Sequence, residues 1–320
     1  MRIKLALFSI FCLLPWHDNA IADITLTNGY WSTSFVGCTA NPARAGTTCD
    51  GLNIDDSGYP GEACAGGYSQ IGPTGNYSGG AGGNGLRVYY LGGSRNTSTS
   101  GAKLVFTTPQ KSFWLRFYYR LPSGQITGAI NEHKIIYAFT SGGPAADVNW
   151  PGGPSTISLQ PRGTMGSPDI IYGGSPTYNP HNAHGNPSGG NWAAVYGSPS
   201  TPANGSWHYY EFHFDLGTTG SNNGVFQMWV DGINVVNDTD LDWFNGGSSS
   251  PTGWSYVDFP YNHNVFTLSG CNPHDVDDIA VATPPYTGFL HDSGGRNMIG
   301  GLQGGKKPSP VMNIVPPPLN

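Results

Sequence analysis

Two stretches of this chain alternate apolar and polar side chains so strictly that neither can be a helix. In residues 112–121, Phe113, Leu115, Phe117, Tyr119 and Leu121 fall on one side of an extended backbone, and Trp114, Arg116, Tyr118 and Arg120 on the other. In residues 207–216, His208, Tyr210, Phe212, Phe214 and Leu216 share one side, while Trp207, Tyr209, Glu211, His213 and Asp215 share the other. A period of two is the pattern of a strand with two unlike faces. Residues 225–230 repeat it, with Phe226, Met228 and Val230 opposing Gln227, Trp229 and, one step on, Asp231. One apolar face and one face of aromatic and ionisable groups suits an antiparallel sheet, and the apolar faces need a second sheet to cover them.

The remaining strand candidates, residues 85–91, 103–107, 133–139, 156–160 and 276–281, are short, rich in aromatic and β-branched residues, and bounded by turn residues. No segment shows helical apolar spacing. Charged residues make up only 11% of the 320, and 48 Gly and 26 Pro favour strands joined by turn-rich loops. The Gly-rich stretches 72–85, 142–153 and 173–205 are expected to be such loops. The expected fold is therefore all-β, a two-sheet antiparallel sandwich with long Gly/Pro-rich loops.

Arg2 and Lys4, an apolar run from Leu5 to Leu14, and Ala20-Ile21-Ala22 read as an export signal cut after Ala22. A secreted protein, extracellular or periplasmic, is the expectation, with residues 23–290 as one domain and residues 291–320 as a Gly/Pro-rich tail. No apolar run is long enough to insert in a membrane. A formal charge of −6 without a basic block argues against nucleic acid as a partner. Cys38, Cys49, Cys64 and Cys271 follow the signal, an even number for an oxidising compartment, and two disulfides are expected. Of the three connectivities, Cys38–Cys49 with Cys64–Cys271 is preferred.

The stretch from Ser206 to Asp215, followed by Gly224 to Gly232 with its Asp231-Gly232 turn, resembles the paired strands of concanavalin A-like lectin/glucanase and laminin-G-like jelly rolls. Val276-Asp277-Asp278-Ile279-Ala280-Val281 resembles their closing strand. The resemblance spans about residues 85–289 and implies a jelly roll that engages an extracellular polysaccharide. The glucanases of that superfamily place paired Glu residues on one strand, so that two carboxylates flank the glycosidic bond. Only Glu62, Glu132 and Glu211 occur here, with no such pairing.

Polysaccharide lyases of the same fold neutralise a uronate carboxylate, remove the proton beside it and protonate the leaving oxygen. Arg116, Tyr118, Arg120, His133 and His213 are the candidates for that chemistry. Asn131-Glu132-His133-Lys134 departs from the usual Gln-x-His of alginate-lyase-like enzymes, and their C-terminal Tyr-Phe-Lys-type motif is missing. Trp114, Tyr209, Glu211, Gln227 and Trp229 are the candidates for holding a glycan, the rings by stacking on sugar and the polar groups by bonding hydroxyls. The competing structural reading pairs Arg116 and Arg120 with Glu211 and Asp215 on a solvated face. No cofactor is expected. Calcium is the one ion for which oxygen ligands cluster, at Asp238, Asp240 and Asp242 and again at Asp275, Asp277 and Asp278, although Asx turns account for such clusters more simply. Polysaccharide binding leads, with β-elimination and a purely structural or adhesive role as alternatives.

Overall fold

A computed structural model describes residues 24–35, 38, 41–43, 47–56, 69–72, 84–91, 100–121, 123, 133–134, 136–140, 156–162, 167–172, 204–244, 252–259, 262–263 and 271–284. Two antiparallel sheets make up almost all of it. The first joins, from one edge to the other, β15 (Ile233–Leu241), β14 (Gly224–Val230), β13 (Trp207–Asp215), β8 (Ser112–Arg120), β18 (Cys271–Ala282), β6 (Gly85–Leu91), β5 (Ser69–Gly72) and β2 (Asn41–Ala43), and β1 (Tyr30–Thr33) also pairs with β18. The second runs β12 (Ser167–Tyr172), β11 (Thr156–Arg162), β10 (Tyr137–Thr140), β16 (Trp254–Phe259), β7 (Ser100–Gln110), β4 (Leu52–Asp56), β3 (Thr47–Cys49). A separate pair joins β9 (His133–Lys134) to β17 (Asn262–His263). The described residues contain no helix, as the lack of helical spacing requires.

The alternating strands lie in the middle of the first sheet. β13 and β8 pair through nine residues, from Trp207 opposite Arg120 to Asp215 opposite Ser112. Phe113, Leu115 and Phe117 thus meet Phe214, Phe212 and Tyr210, Tyr119 meets His208, and all of Phe113, Leu115, Phe117, Tyr119, Tyr210, Phe212 and Phe214 are buried. The second sheet covers them. Phe117 stacks on Phe259 of β16 at 4.8 Å between ring centres, Phe214 meets Trp254 edge-on at 5.4 Å, and Phe106 of β7 meets Phe113 at 5.1 Å. The core also holds a polar pair, His274 Nδ1 with the Tyr119 hydroxyl, both buried. Partnering of this kind is what makes burial of polar atoms tolerable.

The β14–β15 hairpin turns on Asp231 (φ 49°) and Gly232 (φ 83°), the paired left-handed conformations of a type I′ turn. Asp231 also ties the turn to β13: its Oδ1 accepts from the Tyr209 amide at 3.0 Å and its Oδ2 lies 2.5 Å from His208 Nδ1. Asn28-Gly29 and Asp50-Gly51 repeat the same conformations. Beside the second of these turns Cys38 and Cys49 form a disulfide, with Cα atoms 5.6 Å apart. Cys64 and residues 1–22 and 291–320 lie outside the described residues, as do the three Gly-rich stretches apart from their end residues 72, 84–85 and 204–205.

Phe117 stacks with Phe259, Phe212 and Tyr210, all within 6.0 Å. Phe117→Ala is expected to cost about 3–5 kcal/mol of unfolding free energy in a urea titration.

Candidate functional site

Strands paired in register set residues of equal parity side by side, so the face of the first sheet turned away from the core is built of rows. Across β13, β8 and β18 the rows are Trp207, Arg120 and Asp275; then Tyr209, Tyr118 and Asp277; then Glu211, Arg116 and Ala280; then His213, Trp114 and Ala282. β14 extends the last two with Trp229 opposite Glu211 and Gln227 opposite His213.

The middle of this face is a buried cation among rings. The Arg116 guanidinium carbon lies 4.4 Å from the Tyr209 ring centre and 5.1 Å from that of Tyr118, and Nη2 donates to the Tyr118 hydroxyl at 2.7 Å. Arg116 is 1% exposed and Glu211, directly opposite it, 0%. Removing a guanidinium from water is costly. The facing carboxylate and two ring faces, each cation–π contact worth up to about 2 kcal/mol when desolvated, offset that cost.

One end of the face is an aromatic platform. Trp114 and His213 stack in parallel, 3.9 Å between centres and 3° between planes, and Trp229 stacks on Trp114 at 5.6 Å. Ala280 and Ala282 pack beside the buried Trp114 ring, and Trp229 and His213 beside it are partly exposed. His213 is locked by both nitrogens: Nδ1 donates to Gln227 Oε1 at 3.1 Å, Nε2 accepts from the Ser112 hydroxyl at 3.2 Å, and Gln227 Nε2 donates on to Asn237 Oδ1 at 2.6 Å. Burial holds the imidazole pKa below its usual value, with the Gln227 hydrogen bond and Asp215 opposing weakly. His213 is therefore neutral at pH 7.

At the other end Asp275 holds two arginines. Arg87 Nε donates to its Oδ1 at 2.6 Å, and Arg120 Nε to its Oδ2 at 2.9 Å. The Arg120 guanidinium carbon also sits 4.7 Å over the Trp207 ring. Asp277, one row in, is 0% exposed; its Oδ1 accepts from the Asp278 amide at 2.8 Å and its Oδ2 has no hydrogen-bond partner. Burial, with the charges of Asp278 and Asp275 adding to it, raises this carboxyl to a pKa of about 7.

Arg116, Tyr118, Arg120, Tyr209, Glu211, His213, Trp114, Gln227 and Trp229 thus share one face, as their alternation predicts. Three expectations change. The face is not solvated at its centre, since Trp114 and Tyr118 are buried along with Arg116 and Glu211. Arg120 pairs with Asp275 rather than Asp215, because the register sets Asp215 opposite Ser112, where its Oδ1 accepts from the Gly217 amide at 2.7 Å. His133 is not in this sheet: its backbone pairs with His263 in the separate β9–β17 ladder, and its side chain lies outside the described residues.

The acidic groups do not form a calcium cage. The oxygens of Asp238, Asp240 and Asp242 do not converge, and Asp242 Oδ1 accepts from the Phe244 amide at 3.0 Å in an Asx turn. Asp275 is occupied by two guanidiniums, which would repel a cation at Asp275, Asp277 and Asp278. Among the described residues the one trio whose ligand atoms gather is Cys38, Cys49 and Asp50, and there the two sulfurs are bonded to each other. Sequence reasoning missed Arg87, whose place opposite Asp275 became readable only with the β6–β18 register.

No family model matches the chain, and no curated protein does. Solved structures do. Alginate lyase Aly36B superposes with a TM-score of 0.51 at 13% identity, over 80% of this chain and 97% of that one. The chain shares the jelly-roll fold of polysaccharide lyases. A mutant of that lyase, in complex with alginate tetrasaccharide, superposes over the same shares with a TM-score of 0.50, also at 13% identity.

An acid whose folded pKa is raised contributes stability that is fully present below its unfolded pKa near 4 and lost as pH rises through about 7. Asp277→Asn keeps an acceptor for the Asp278 amide and removes the ionisation. Chemical denaturation is expected to show the variant gaining on the parent between pH 4 and pH 7, by on the order of 4 kcal/mol at most, with no further gain above.

Proposed function

We propose that this protein is exported and engages an extracellular, uronate-containing polysaccharide on the outer face of β13, β8, β14 and β18. The observation that carries the reading is the joint presence on one face of the Arg116 guanidinium between Tyr118 and Tyr209 and, one row away, the Trp114–His213–Trp229 platform. A uronate sugar asks for both: a positive field for its carboxylate, to which the part-exposed Arg87 and Arg120 at the far end of the face add, and ring faces for the C–H side of the pyranose, of which His213 and Trp229 are the part-exposed ones. Because His213 is neutral and anchored through Ser112 and Gln227, it adds a flat surface without a competing charge. The fold shared with an alginate lyase supports a carbohydrate ligand.

A second reading, β-elimination, is favoured by the 2.7 Å bond from Arg116 Nη2 to the Tyr118 hydroxyl. In that chemistry the cation stabilises the carboxylate as the C5 proton leaves, the C5–H electron pair becomes the C4–C5 double bond, and the C4–O bond breaks with a proton returned to its oxygen. Tyr118 is the group to exchange these protons, since both His213 nitrogens are already engaged.

The test is incubation with alginate, glucuronan and neutral glucans, following both retention of glycan and absorbance of an unsaturated product. Binding of the uronate polymers and not the neutral ones is expected. Arg116→Ala should weaken it at least ten-fold, and Arg116→Lys, which keeps a cation on the residue opposite Glu211, should recover part of the loss. Unsaturated product that disappears in Tyr118→Phe while binding persists would establish the lyase. Failure to retain any uronate polymer would overturn both readings and leave a structural or adhesive role.

A further inference from the structure

Strand β18 is flanked on its outer side by two different strands in succession. β6 pairs with it from Cys271 to Val276, and β1 pairs with it from Ile279 to Ala282. Between them lie Asp277 and Asp278, where the register against β8 also shifts and Asp278 takes a positive φ of 44°. A bulge of this kind re-aims side chains and interrupts pairing. It sets Asp277 opposite Tyr118, in the row next to Arg116, with its Oδ2 buried and unpartnered. A carboxylate fixed there has none of the compensation that two arginines give Asp275. The structural task of the side chain, accepting from the Asp278 amide at the bulge through Oδ1, is one that an asparagine performs as well.

We infer that Asp277 sets the charge of the glycan-binding face: as the neutral acid it leaves the field of the face's arginines to attract a uronate, and as a carboxylate it opposes that attraction. The inference rests on the proposed acidic glycan as ligand. The ionisable groups around Asp277 are Arg116, Tyr118 and Arg120 on β8, Tyr209 and Glu211 on β13, Arg87 on β6, and Asp275 and Asp278 on its own strand. β1 brings Tyr30 and no charged group. A further negative charge therefore joins Glu211, Asp275 and Asp278 without a cation of its own. Its raised pKa, about 7, puts the change near neutrality. Uronate carboxyls are ionised throughout this range, so the slope belongs to the protein.

The experiment is calorimetric titration of an alginate oligosaccharide into the full chain and into Asp277→Asn, at intervals from pH 5.5 to 8.5. Carbon-13 carboxyl NMR of the parent follows Asp277 directly. The parent should lose on the order of ten-fold in affinity across the interval, the size of effect expected of one poorly screened charge. Asp277→Asn should keep the parent's low-pH affinity as pH rises, apart from any slope that the histidines give both proteins. His208, His213 and His274 are intact in the variant, so any slope they cause persists in both proteins. Matching pH profiles in the two proteins, or a carboxyl resonance for Asp277 that titrates near pH 4, would overturn the inference and leave the glycan reading standing. Absence of oligosaccharide binding at every pH in both proteins would instead overturn the glycan reading, and this inference with it.

Discussion

Nearly every feature of the face depends on the pairing of β8 with β13. Nine consecutive residue pairs hold one register, and shifting it by a single residue would turn Phe117 and Phe212 outward and drive Arg116 and Glu211 into the core. The cost of that slip is what keeps the register unique. The same apolar contacts that fasten the first sheet to Phe259 and Trp254 of the second also dictate which groups meet on the other side. Positioning of the outer face is thus a by-product of core packing, and the Asp231 turn, tied to His208 and the Tyr209 amide, fixes the third strand to the same frame.

The parts of this arrangement that could be read from sequence are those in which one residue type repeats at a fixed interval. β6, β8, β13 and β14 each declare themselves by alternation or by a run of β-branched and aromatic residues, and the core sets of β8, β13 and β14 are buried as expected. β15 escaped because Asn234, Asn237, Asp238 and Asp240 make it look like a loop; it is an edge strand, where polar side chains are tolerated and useful. β3 and β4 escaped because each is too short for a period to show, although Asp50-Gly51 between them carried the same hairpin signal as Asp231-Gly232.

The candidate site was legible as a list and not as a structure. Alternation told which residues share a face, since that follows from geometry within one strand. It could not tell which partner each charge takes, since that follows from register between strands distant in the chain: Arg120 finds Asp275, 155 residues on, and so does Arg87, 188 residues away. Nor could it tell that the centre of the face is dry. Arg116 and Glu211 read as surface residues by type, and only a neighbour of matching charge with rings above and below makes their burial affordable.

β18 comes after every other described strand in the chain, yet it lies in the middle of the first sheet, between β8 on one side and β6 and β1 on the other. The sheet therefore cannot close as the chain emerges from the ribosome. Until residues 271–282 are made, β8 and β6 each present an unpaired edge, and the contacts that join them span much of the sequence, which makes folding slow and late. A chain arranged in this way remains unfinished while it is being synthesised, and its assembly is governed by the arrival of one strand that must insert between neighbours already in place.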